Sequence, residues 1–86
     1  MISWLKPTGH AMKTLSSPKY QRFTALLREA REKSGLSQVE VAEKLNRPQS
    51  FVSKYESGER RIDVCEYIDI CKTIGINPAA IISRLD

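Results

Sequence analysis

The sequence predicts an all-α protein, a compact five-helix bundle, on three observations. Apolar residues recur at helical spacing in five segments, and no stretch shows the period of a strand. A helix-opening residue stands before or at the start of each segment: Ser17-Pro18, Ser37, Pro48, Asp63 and Asn77-Pro78. Gly35, Asn46, Gly58 and Gly75 supply the stops and turns between them. There is no internal repeat.

The first seventeen residues differ from the rest. They contain Pro7, Gly9, Ser16 and Ser17 without a sustained helical period, so residues 1–17 read as a flexible N-terminal arm. Within it, Met12 is a possible second initiator, and Ile2 and Trp4 are the apolar residues a partner could hold. Residues 18–86 read as one domain. Its first helix opens at Ser17-Pro18, carries Phe23, Leu27, Ala30 and Arg31 on one side, and ends at Gly35. The second starts on a capping box, in which the Ser37 hydroxyl and the Glu40 carboxylate satisfy each other's backbone N–H groups. Val41, Ala42 and Leu45 form its apolar stripe. Asn46 turns the chain, because asparagine enters the left-handed region at modest cost. Pro48 suits the first turn of the third helix, where Val52 and Tyr55 point inward. A second capping box, Asp63 with Glu66, opens the fourth helix, whose inner face reads Val64, Tyr67, Ile68, Cys71 and Ile74. Asn77-Pro78 opens the fifth, with Ala80, Ile81, Ile82 and Leu85.

Composition narrows the function. A chain of 86 residues allows one small domain, burying about 60–65% of its unfolded surface. Fourteen Lys and Arg against ten Asp and Glu give a net charge of +4, a balance that favours a polyanionic partner. No apolar run approaches the roughly 20 residues that span a bilayer, and the stretch Met-Ile-Ser-Trp-Leu-Lys-Pro lacks the continuous apolar core expected of a signal peptide. The expected location is the cytoplasm, with Cys65 and Cys71 reduced. These two lie about 120° apart around one helix and cannot bridge each other. His10, the sole histidine, lies in the arm, so zinc ligation and Cys–His catalysis lack their parts. No enzyme, cofactor, metal or small-molecule ligand is expected. The acidic pairs Glu40/Glu43 and Glu66/Asp69 read as solvated outer faces.

The third helix carries the functional signal. Opposite its apolar stripe stand Gln49, Ser50, Ser53, Lys54 and Ser57, hydrogen-bonding groups and one cation with no acid among them. Such a row suits the DNA major groove, where base edges offer donors and acceptors between walls of phosphate. Phe51 has two readings, the edge of the core or a ring offered to thymine methyls, and the core is preferred.

Residues 20–82 resemble the lambda-repressor/Cro-like helix-turn-helix proteins, the XRE family. The resemblance rests on Leu27 through Arg31, Gly35-Leu36, Ser37-Gln38, Val41-Ala42, Leu45, Val52, Tyr55-Glu56 and Gly58. Asn46 stands where the family usually has glycine, and Ile62-Asp63 follows Arg60-Arg61 in place of a proline-containing loop. The resemblance implies roles for particular residues. Gln38 is similar to the family glutamine that hydrogen-bonds a DNA phosphate and braces the third helix. Gln49, Ser50 and Lys54 fall where members read base edges; Arg47, Ser53, Ser57, Arg60 and Arg61 fall around the sugar-phosphate backbone. Arg31 and Glu56 each turn toward the core at helical spacing, and the family also pairs these positions, so a bidentate bridge is expected between them.

The function expected on this basis is a sequence-specific transcription regulator, a repressor, binding double-stranded DNA at a palindromic operator. A homodimer is expected, because one recognition helix reads only a few base pairs. Ile81, Ile82 and Leu85 place the contact in residues 76–86. An antitoxin or a restriction-modification controller of the same fold is the alternative within DNA binding. A protein-interaction module that binds no DNA is the other class, and it calls for exposed apolar anchors on the third helix.

Overall fold

In a computed structural model, residues 17–85 are described, and among them the five helices are α1 (Pro18–Lys33), α2 (Gln38–Leu45), α3 (Gln49–Ser57), α4 (Val64–Ile74) and α5 (Pro78–Ile82). The expected arm lies outside the described residues, apart from Ser17. That residue is the N-cap of α1, its Oγ accepting from the Tyr20 N–H at 3.2 Å.

Local chemistry sets the boundaries. Both capping boxes form, Ser37 with Glu40 at the start of α2 and Asp63 with Glu66 at the start of α4. Asn46 ends α2 at φ 60°, ψ 44° and is the one non-glycine residue in positive φ among those described. Pro48 stands one position earlier than expected. It is the N-cap of α3 rather than a first-turn residue, at ψ 154°, with its carbonyl accepting from Phe51 N–H at 2.9 Å. Pro48 has no N–H to satisfy there, and it gives α3 no side-chain cap.

Leu27, Val41, Val52, Tyr55, Ile70 and Cys71 lie fully buried at the centre. The tightest partners are α2 with α3 and with α4, while α1 packs on α3 and α5. This leaves one side of α3 uncovered.

The inner face of α4 is corrected. Tyr67, Ile70, Cys71 and Ile74 are buried there, whereas Val64 is 71% exposed and Ile68 38%. Residues 67, 70, 71 and 74 keep the i, i+3, i+4, i+7 pattern of a core stripe. Ile68 sits on its flank, and Val64 lies in the first turn at the helix end. In α5 only Ile81 is buried and Ile82 is 51% exposed; Leu85, expected in this helix, lies beyond its end and packs partly on the core.

Candidate DNA interface

The helix-turn-helix spans α2, the Asn46–Pro48 turn and α3. The buried side of α3 carries Phe51, Val52 and Tyr55. Its outer side presents Gln49, Ser50, Lys54 and Ser57 to solvent, with Ser53 half-buried beside them. The serine hydroxyls are held against the helix: Ser53 Oγ donates to the Ser50 carbonyl at 3.3 Å and Ser57 Oγ to the Lys54 carbonyl at 3.1 Å. Lys54 and Gln49 are therefore the longest polar side chains on this row.

A chain of polar contacts clasps α3 from behind. Arg31 Nε and Nη2 donate to the two oxygens of Glu56 at 2.7 and 3.1 Å, and its Nη1 donates to the Leu36 carbonyl at 2.9 Å. Both side chains are nearly sealed from solvent, 9% and 4% exposed. The hydrogen bond to Glu56 keeps the pKa of the Arg31 guanidinium above its ordinary value, against the effect of burial. Gln38, the first residue of α2, donates Nε2 to Glu56 Oε1 at 2.9 Å. Its Oε1 accepts from Gln49 Nε2 at 3.5 Å, a long contact near the limit of a hydrogen bond. Gln38 thus touches both ends of α3, through Glu56 near its last turn and Gln49 at its first.

The arginines expected at the backbone are placed less simply. Arg47 Nη2 contacts Glu66 Oε2 at 2.9 Å, and Arg60 forms a two-armed bridge to the same carboxylate at 3.1 Å on each arm. Both guanidiniums also lie over the Phe51 ring, 4.1 and 4.8 Å from its centroid. Arg61 stacks over Tyr20 at 4.6 Å. The reading of Glu66 as a solvated acid is corrected: its side chain is only 16% exposed and joins two arginines. Hydrogen bonds from Arg60 and from the Asp63 backbone pull its carboxyl down to about 2. Phe51, 6% exposed and covered by both arginines, belongs to the core edge, not to thymine contact.

Tyr20 is a residue that the sequence did not single out. Its hydroxyl accepts from the Ile62 N–H at 3.2 Å and donates to the Arg60 carbonyl at 3.4 Å, which pins the α3–α4 loop to α1. Contacts spanning 40 and 42 positions leave no local signal in a sequence. The capping box did mark Glu66, but only for its local partner.

Comparison with known proteins decides the family. The helix-turn-helix family (HTH_3) matches residues 27–81. An XRE-family like protein from Pseudomonas syringae pv. tomato str. DC3000 is 51% identical, over 87% of this chain and 92% of that one, with a TM-score of 0.77. The chain belongs to the XRE family of helix-turn-helix proteins. As an XRE-family member it is a DNA-binding transcription regulator by class. The restriction-modification controller protein C.Esp1396I shares the fold at 18% identity and a TM-score of 0.73, covering 81% of this chain and 91% of that one. A further structure of that controller shows its tetramer in complex with its natural 35 base-pair operator, at the same identity and TM-score over 81% and 92% of the two chains. No curated protein matches the chain.

Proposed function

We propose that this XRE-family regulator is a repressor that binds a palindromic operator as a dimer, with α3 in the major groove. In this reading Gln49, Ser50 and Lys54 meet base edges. A glutamine amide can bond adenine on two atoms, and a lysine can donate to guanine O6 and N7. Arg47, Ser53, Ser57, Arg60 and Arg61 hold the sugar-phosphate backbone, with Gln38 both bracing α3 and reaching a phosphate.

The observation that carries this reading is the uncovered row on α3, whose five residues include no acid, with Glu59 reaching only its last member, Ser57, at 3.3 Å. Gln38 and Arg31 clasp the helix from behind through Glu56. A protein-binding face would present apolar anchors there, and Phe51, Val52 and Tyr55 are all buried. Dimerisation draws support from α5, where Ile82 is exposed and lines a groove with Leu85, Tyr20 and Phe23. A two-fold contact through residues 76–86 would set two recognition helices about one DNA turn apart, roughly 34 Å. The operator-bound tetramer of C.Esp1396I is an assembly of the same fold on DNA.

In vitro selection of bound DNA tests the proposal in one experiment. The expected product is an inverted repeat whose half-sites lie one helical turn apart. Lys54→Ala should then weaken the selected site by about 1–3 kcal/mol and relax preference at one base position. Recovery of unselected sequence would sink the reading, and recovery of a single half-site would remove the dimer from it.

A further inference from the structure

Arg47 and Arg60 come from opposite ends of α3, one in the turn before it and one in the loop after it, yet they converge. Two guanidiniums repel unless something holds them. Here one aromatic ring and one carboxylate do so: both cations lie over Phe51, and both bond Glu66. The exposures set the order in depth. Glu66 is 16% exposed and each arginine 40%, so the acid sits behind and the cations in front. Each guanidinium has five N–H groups, and the contacts to Glu66 use one on Arg47 and one from each Nη of Arg60. Arg60 Nη1 also donates to the Arg61 carbonyl at 2.9 Å, which leaves its Nε and one Nη2 hydrogen, and most of the Arg47 donors, for a phosphate. Glu66 is itself fixed, because its Oε1 also accepts from the Asp63 N–H at 2.9 Å in the cap of α4.

This cluster carries two positive charges and one negative. Free arginines with the same two positive charges would attract any DNA, releasing counterions without regard to sequence. Held arginines contribute less to that attraction and more to register, because their geometry is set before the strand arrives.

We propose that Glu66 is a positioning residue for DNA recognition, gathering Arg47 and Arg60 on Phe51 into one preformed phosphate clamp and offsetting one of their two charges. The clamp then favours the operator over DNA at large. This role rests on the reading of α3 as the recognition helix.

The test uses the full chain, an operator obtained by in vitro selection and a scrambled duplex, with affinity for each measured at several salt concentrations. Glu66→Gln can keep the cap, since glutamine serves in capping boxes as glutamate does. It should bind scrambled DNA more tightly, steepen the slope of log affinity against log salt by up to about 0.9, and lower the operator preference about fivefold. Glu29→Gln removes the same charge on α1, where Glu29 pairs with Lys33 away from the cluster, and should leave the preference within about twofold. Arg60→Lys leaves the Glu66 cap intact and keeps the charge while discarding the fork. It should weaken the operator about fivefold and scrambled DNA hardly at all. The proposal is overturned if Glu66→Gln, folded by circular dichroism, keeps the wild-type preference. It is also overturned if Glu29→Gln lowers the preference as much, or if Arg60→Lys weakens both duplexes alike. Wild-type protein without operator preference would instead overturn the reading of α3, and this role with it.

Discussion

Gln38 and Arg31 share one oxygen of Glu56: Gln38 Nε2 lies 2.9 Å from Oε1, and Arg31 Nη2 lies 3.1 Å from the same atom. The buried ion pair and the outer row of α3 are therefore two ends of one polar chain running Arg31, Glu56, Gln38, Gln49. A charge fixed in the interior sets the direction of the Gln38 amide. Its nitrogen faces the carboxylate, which leaves its oxygen for Gln49.

The ion pair should matter first for stability. Removing one partner leaves the other buried without compensation, so Glu56→Ala should cost on the order of 3 kcal/mol. For a domain this small that lowers Tm by about 15 °C. Glu56→Gln should cost less, since a neutral amide can still accept from Arg31. Thermal melts of both variants check the order, and an unchanged Tm in Glu56→Ala would show that the pair is dispensable.

The Gln38–Gln49 contact predicts a coupling. Gln38→Ala should weaken operator binding while leaving the salt slope nearly unchanged, because a neutral amide displaces no counterion. Gln38→Ala and Gln49→Ala together should then differ from the sum of the two single effects by about 0.5 kcal/mol or more. Strict additivity in operator affinity would mean that the two glutamines act independently on DNA.

Ile82 tests the dimer without touching the core. At 51% exposure it can be replaced by aspartate and the helices retained. Ile82→Asp should keep the far-ultraviolet circular dichroism spectrum, sediment as a monomer and lose affinity for a two-half-site operator. An unaltered dimer would place the contact elsewhere on the surface.

Acid should loosen the Glu66 cluster in a defined window. The Glu66 carboxyl falls from an ordinary 4.5 to about 2 on folding, through its hydrogen bonds with Arg60 and the Asp63 backbone. A depressed carboxylate stabilises the fold above its unfolded value and loses that contribution as pH falls through the folded one. The window is therefore pH 4.5 down to about 2. Glu40, lowered by the Ser37 backbone N–H, titrates in the same direction. The measurement is consequently a comparison: Tm of Glu66→Gln should fall less steeply than wild type across that window, and parallel curves would refute the assignment.

Local sequence determined the helices, their caps and the turn. Ser37 with Glu40 and Asp63 with Glu66 cap within one turn, Asn46 takes the left-handed conformation by its own chemistry, and both are read from neighbours in the chain. The outer row of α3 was legible for the same reason, since a helix of known phase fixes which residues share a face. Tertiary structure alone decided the rest. Whether Ile68 or Ile70 enters the core depends on how α4 rolls against α2 and α5, and a stripe two residues wide permits either. Arg47 and Glu66 stand 19 positions apart, and Tyr20 and Ile62 stand 42 apart. Each of these side chains has an ordinary surface reading until the bundle closes. Closure brings Arg47 and Arg60 onto one acid and one ring, and that meeting is a property of the packing, which no run of neighbouring residues encodes.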